Sequence, residues 1–280
     1  MKQFISECEP DDAGMLELSG KAYTYLIKVR RMREGDVLPV LLPVSGAADM
    51  AVDWIHSAKK QLRLKRVPVA AGPGNSHSKD NAGMQREYSA AEENRSNRFA
   101  PVAEIILLQW VLKGSKIDMV IRQATEAGVR AVLPVIGEFS VAKKQNPAQI
   151  ERYRRIIKEA RQQSGSLADT VVMEPAPLTA VLTVLQQLVP AEKTVFCMCS
   201  EVAGNVVSVH RLFSSTPSHI VLAVGAEGGI SPAEAALLCD AGFRTIHFKT
   251  NVLRAETAAL YAIAAAQTII NEADQWQLLE

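Results

Sequence analysis

His219-Ile220-Val221-Leu222-Ala223-Val224-Gly225-Ala226-Glu227-Gly228-Gly229-Ile230-Ser231-Pro232-Ala233-Glu234 decides the fold. An apolar run rich in β-branched residues ends in a glycine cluster, and a helix start follows. Residues 220–224 are enough for a buried strand and too few for a helix. Ser231, Pro232 and Glu234 form a capping box with proline at the first helical position. Gly225, Gly228 and Gly229 remove Cβ atoms where the chain leaves the strand, which permits close approach of backbone to a ligand. In an open α/β sheet, ligands bind beyond the carboxyl ends of the strands.

A second loop follows one helix later. Residues 244–248 read as a strand, 249–254 as a loop and 255–270 as a helix rich in alanine. Small side chains let such a helix pack closely on another backbone. The two loops are expected to leave neighbouring strand ends and so to form two walls of one pocket. The glycines alone are equally consistent with a tight turn before a helix.

The chain has 280 residues, 48% hydrophobic and 22% charged, an ordinary globular composition for one or two domains. A formal charge of +1 excludes a global basic signature, so a nucleic-acid partner requires local charge. No apolar run approaches the ~18 residues of a membrane span. The start, Met1-Lys2-Gln3-Phe4, has no signal-peptide core, which implies a cytoplasmic protein. The four cysteines Cys8, Cys197, Cys199 and Cys239 include no Cys-x-x-Cys pair, and no metal site is expected. Cys197 and Cys199 read as buried strand thiols.

Residues 1–71 read as a small domain of short strands, with strand character at 37–42 and 61–67 and a helix over 22–33. Lys28, Arg30, Arg31 and Arg33 cluster in one segment, and Lys59, Lys60, Arg63, Lys65 and Arg66 in another. Either run alone is most simply a solvated face; two in one small domain suit a phosphate-facing surface. Residues 72–99 are polar and rich in turn formers, so they read as a linker or flexible insertion. Residues 100–280 form a second domain of alternating strands and helices, hence α/β with a mostly parallel sheet. Its strands fall at 104–111, 129–136, 194–199, 220–224 and 244–248. Its first helix follows Ser115 and is capped by Gly128. The next, 146–163, carries Arg152, Arg154, Arg155, Lys158 and Arg161 after Lys143 and Lys144, either a plain solvated helix or an RNA-facing one. Another amphipathic helix spans 178–188.

Four stretches in order resemble one family across nearly the whole chain. GAEGGISPAE at 225–234 and NVLRAETA at 251–258 resemble the signature loops of RsmE-type 16S rRNA uridine methyltransferases. Lys113-Gly114 followed by Gln123-Ala124-Thr125-Glu126-Ala127-Gly128-Val129, and Glu159-Ala160-Arg161-Gln162-Gln163-Ser164-Gly165, resemble two more of its segments. That family belongs to the SPOUT superfamily. The resemblance implies a trefoil-knotted C-terminal domain that binds S-adenosylmethionine, and a PUA-like N-terminal β-barrel that helps hold rRNA. It places the cofactor against Val224, Gly225, Glu227, Gly228 and Gly229 on one wall, and Val252, Leu253 and Thr257 on the other. Arg254 and Glu256 are its candidates for the chemistry, with Arg254 favouring the anion of a uracil ring nitrogen. Arg254 could instead pair with Glu256 or Glu227, and each carboxylate suits a proton acceptor or, the favoured role, a structural anchor. Lys28, Arg30, Arg31, Arg33, Arg63 and Arg155 are the candidate RNA contacts. The partner implied is 16S rRNA or the small ribosomal subunit, and the protein itself is expected to be a homodimer without a metal.

Several positions depart from the family pattern. Ala226 replaces proline, Phe248-Lys249 replace Leu-Gly, Asn251 replaces arginine and Ser166 stands where an arginine is usual. Two alternatives therefore stay open: a SPOUT methyltransferase with another RNA target, or an RNA-binding relative that has lost catalysis.

Overall fold

The fold is that of a computed structural model. It describes residues 3–67, 102–140, 147–201, 207–212 and 217–276. The 72–99 segment, Lys143 and Lys144 lie outside the described residues. The chain divides into two compact units: Met1–Ala100 with Gln162–Gly165, and Pro101–Arg161 with Ser166–Glu280.

The first unit holds a five-stranded sheet of β1 (Phe4–Ile5), β2 (Met15–Ser19), β3 (Val37–Leu42), β4 (Gly46–His56) and β5 (Gln61–Arg66), in the order β1-β3-β4-β5-β2. β1 runs parallel to β3, and the other pairs are antiparallel. β5 shows the period of two that its sequence announces: Leu62 and Leu64 are buried, and Gln61 and Lys65 face solvent. β4 escapes the sequence reading because a bulge between Val52 and Trp54 breaks its alternation. Phe4, Leu16, Leu26, Leu38, Val40 and Met50 close the core.

The single helix expected over 22–33 does not form. A short turn, α1 (Gly20–Tyr23), passes into a π-helical run, Thr24–Val29. The Arg30 N–H donates to the Tyr25 carbonyl five residues back at 2.9 Å, and Arg31 has φ +57°. β-Branched Thr24, Ile27 and Val29 weaken an α-helix here. The wider turn still buries Tyr23, Leu26 and Met32 on one core.

The second unit contains β6 (Glu104–Trp110), β7 (Ala131–Ile136), β8 (Val171–Val172), β9 (Ala176–Pro177), β10 (Thr194–Cys199), β11 (His219–Val224) and β12 (Arg244–Ile246). The sheet order is β12-β10-β11-β6-β7-β8, with β9 also paired to β7, and every pair is parallel. β6 and β11 are near-continuous apolar runs with almost every residue buried, as parallel strands covered on both faces require. The helices are α2 (Lys116–Glu126), α3 (Pro147–Ser164), α4 (Leu178–Leu188), α5 (Val209–Leu212), α6 (Pro232–Asp240) and α7 (Ala255–Trp276). α7 packs on β11, β6 and α2. Its buried stripe of Ala255, Ala259, Ala262, Ile263, Ala266 and Ile270 has helical spacing. Gln267 on the same helix donates to the Ala127 carbonyl at 2.6 Å, beside the Gly128 cap at φ +76°.

Several boundaries differ from the sequence reading. β12 stops at Ile246, β7 starts at Ala131 and α7 continues to Trp276. The two signature loops also do not leave neighbouring strands. β10 lies between, pairing with β11 on one side and β12 on the other. Cys197 on β10 is buried as expected and Cys199 half-buried; burial pushes both thiols up to about 12. Among the described residues, no helix is long and apolar enough to cross a membrane.

Ile263 is fully buried in the α7 stripe. Ile263→Ala should lower unfolding free energy by about 2–5 kcal/mol. Urea denaturation should show this as a lower midpoint with an unchanged slope.

Candidate cofactor pocket

The loop after β11 closes on itself. A Cβ on Gly225 would stand 2.7 Å from the Gly229 carbonyl carbon, so only glycine fits. The Gly229 N–H donates to the Ala226 carbonyl at 2.9 Å, and Gly229 takes φ +76°. Gly228 is glycine for another reason: its face meets the Phe139 side chain, 3.1 Å from where a Cβ would lie.

The expected capping box then starts α6. The Glu234 N–H donates to Ser231 Oγ at 3.3 Å, and the Ser231 N–H to Glu234 Oε2 at 3.0 Å. The other Glu234 oxygen accepts from the Glu138 N–H at 2.9 Å, tying this loop to the one after β7. Gln109 was not legible as a site residue. It is fully buried, and its Nε2 lies 3.1 Å from the Trp110 carbonyl oxygen, 3.2 Å from that of Val224 and 3.3 Å from that of Gly225. The one available signal was an amide inside the apolar run EIILLQW.

The second loop is anchored at both ends. His247 Nδ1 lies 2.9 Å from the Ser200 carbonyl oxygen, which makes that nitrogen the donor. The Phe248 ring meets Tyr261 of α7 edge-on, with centroids 4.9 Å apart. Arg254 is the last residue before α7, and its carbonyl accepts from Thr257 and Ala258 N–H groups at 2.9 and 2.8 Å.

Although β10 separates their strands, both loops line one cavity of about 370 Å³. Of the residues singled out in sequence, Val224, Gly225, Glu227 and Gly229 line it from one side. Val252, Leu253 and Arg254 line it from the other. Gly228, Glu256 and Thr257 do not: Gly228 turns to Phe139, Glu256 is buried, and Thr257 is exposed on the first turn of α7. Exposed Lys249 is also not among the lining residues, whereas Phe248 and Asn251 are. The end of β10 (Cys199, with Ser200 and Glu201 beyond it) and Lys116 complete the wall. Backbone carbonyl and amide groups on two sides, with half-buried apolar faces, suit a ligand that carries both an apolar ring and a polar tail.

Lys116 is the second residue the sequence reading missed. Its Nζ lies 2.8 Å from Glu227 Oε1, which also accepts from the Lys113 N–H at 3.4 Å. The Lys116 hydrogen bond holds the Glu227 carboxyl below the usual carboxylate range, and the same bond raises the Lys116 amine. Glu227 is thus tied to the start of α2 by both contacts. Glu256 is 5% exposed, and its Oε2 has no hydrogen-bond partner among the described residues. Arg254 is exposed, and among the described residues no ion pair holds it.

The candidate RNA contacts divide by environment. Lys28, Arg31, Arg33 and Arg155 are exposed. Arg30 is half-buried, and its buried Nη1 has no hydrogen-bond partner among the described residues. Arg63 is already engaged: its Nε donates to Asp53 at 2.7 Å, and its guanidinium lies 5.4 Å from the Trp54 ring centre. On α3, Arg152 pairs with Asp118 and Arg154 with Glu151.

Gly225→Ala should force the loop apart at Gly229 and destabilise the protein by about 1–3 kcal/mol, read by urea denaturation. The Lys116–Glu227 pair gives a pH prediction. A depressed folded value means the pair contributes above the ordinary carboxylate value of 4.5 and is lost as pH falls through the lower folded one. Carbon-13 NMR of Glu227 should give a midpoint below 4.5 that returns toward 4.5 in Lys116→Met.

With this geometry in place, comparisons with known proteins are specific. Residues 99–267 match the family described as RNA methyltransferase domain. Ribosomal RNA small subunit methyltransferase E of Bacillus subtilis is 27% identical over 279 residues, 97% of each chain. Ribosomal RNA small subunit methyltransferase E 2 of Borreliella burgdorferi is 27% identical over 255 residues, 90% of each chain. A crystal structure of the Neisseria gonorrhoeae ribosomal RNA small subunit methyltransferase E, bound to S-adenosyl methionine, aligns with TM-score 0.72 at 21% identity over 96% of this chain and 98% of that one. The family match spans most of the α/β unit and contains both pocket loops, and on it the chain belongs to the RNA methyltransferase domain family, as the resemblance to RsmE-type enzymes implied.

Proposed function

We propose that the protein is an S-adenosylmethionine-dependent methyltransferase that modifies a uridine of 16S rRNA at the ring nitrogen between the two carbonyls. The observation that carries this is the single cavity formed by the loops 225–230 and 250–255 in a chain of the RNA methyltransferase family. The names of its relatives point the same way: both sequence relatives are ribosomal RNA small subunit methyltransferases.

The cavity fits the cofactor on its own terms. At Gly225 the backbone packs so closely on Gly229 that a Cβ is excluded, and both residues line the cavity. Val224, Gly225 and Gly229 would hold it from one wall, and Val252 and Leu253 from the other. When bound, S-adenosylmethionine would supply an activated methyl group for the uracil nitrogen, whose proton would pass to solvent. The protein's share is to position the base and favour its anion. Arg254, exposed at the cavity and free of ion pairs among the described residues, is the group proposed to face the RNA or the developing anion. Glu256 is proposed as an anchor: a buried carboxylate in the first turn of α7 meets the positive end of the helix.

The remaining expectations are part of the same proposal. The first unit is a PUA-like barrel that holds rRNA, with exposed Lys28, Arg31 and Arg33 as phosphate contacts beside Arg30. Arg155 on α3 is a further contact, and Arg63 reaches RNA only by releasing Asp53. The non-sequential order β12-β10-β11-β6 accords with a knotted path, and the protein acts as a cytoplasmic homodimer without a metal.

Purified protein incubated with labelled S-adenosylmethionine and small ribosomal subunits lacking the modification should transfer label to 16S rRNA. Arg254→Ala should slow transfer about a hundredfold. Absence of label in 16S rRNA, or label in tRNA instead, would contradict the proposal.

A further inference from the structure

We propose that Lys116 is a second substrate-facing cation, which stabilises the deprotonated target base and is held in readiness by Glu227. This rests on the uridine reading above and names a residue that reading does not use.

Lys116 is the first residue of α2, and a cation there opposes the helix dipole. Asp118, in the same turn, has the favourable sign. A lysine kept at the wrong end of a helix needs another reason to be there, and its position supplies one. It is the single residue of α2 that lines the cavity, and its ammonium lies 2.8 Å from Glu227 of the opposite loop. The charged groups acting on it are Glu227 from the loop after β11, and Glu256 and Arg254 at the start of α7. Two carboxylates favour its charge and one cation opposes it. Burial leaves it 38% exposed in its side chain, so the pair is open to exchange.

The uracil ring nitrogen lies between two carbonyls, and its anion spreads charge onto both oxygens. One cation can face one oxygen; two cations can face both. Lys116 and Arg254 line the same cavity from different elements. Glu227 is a poor proton acceptor, because its carboxyl is held below the usual range. It acts instead as a brace for Lys116, exchanging partners when the base enters. The proton of the base passes to solvent, and the ammonium remains protonated throughout.

Fluorine NMR tests this without turnover. The methylated position is first mapped with wild-type enzyme, and 5-fluorouridine is placed there in a 16S rRNA fragment. In the cofactor-free complex, the wild-type protein should lower the imide titration by about one pH unit relative to free RNA. Lys116→Met, which leaves Arg254 in place, should return it part of the way to the free-RNA value, slow methyl transfer at neutral pH about tenfold to a hundredfold and shift the rate profile to higher pH. Its calorimetric affinity for S-adenosylmethionine should stay within about threefold of wild type, since the pocket backbone is untouched. Glu227→Gln keeps the cation and should keep the lowered imide titration. An unchanged titration in Lys116→Met, or a Glu227→Gln variant that loses the shift equally, would make Lys116 a structural brace and overturn the inference alone. A wild-type enzyme that methylates no uridine would overturn the proposed function and this inference with it.

Discussion

Everything at the site depends on how closely Gly225 passes Gly229. At 2.7 Å from the Gly229 carbonyl carbon to the place of a missing Cβ, the chain leaving β11 must fold back at once. That reversal puts bare backbone at the end of a central strand and starts α6 immediately beyond it. Three polar side chains hold the reversal in place. Gln109 satisfies carbonyls at the strand end from β6, Ser231 caps α6, and Glu234 ties the loop to the one after β7. Each is buried, so each of these hydrogen bonds is made in a medium where an unmade one is costly.

The parallel sheet decides where such a loop can act. In parallel pairing the carboxyl ends of β10, β11 and β12 rise on one edge. The two signature loops therefore meet even though β10 separates their strands, and the end of β10 becomes a third wall at Cys199. The start of α7 adds the last part. Its small residues let the helix lie close to β11, which brings Arg254 and Glu256 to the same edge.

Much of this was legible in sequence because local rules and the global fold agree. Ser231, Pro232 and Glu234 mark a helix start in any context. β6 and β11 are too apolar to be anything but buried strands or buried helix, and their length decides. The failures have physical causes. A bulge hides β4, since one extra residue reverses the alternation. Over 22–33 β-branched Thr24, Ile27 and Val29 weaken the α-helix, and core packing at Tyr23, Leu26 and Met32 sets a wider turn in its place. At the site, Gly228 and Thr257 belong to the right loops but face away from the cavity, a matter of backbone direction that a motif does not encode. Gln109 and Lys116 were missed because their partners lie more than a hundred residues away in sequence.

The central claim is that the loops 225–230 and 250–255 together enclose the cofactor. A crystal structure with S-adenosylhomocysteine bound tests it most directly. The account predicts ligand density in contact with backbone of Gly225 and Leu253 at once. Density anywhere else, or contact with one loop alone, would contradict it.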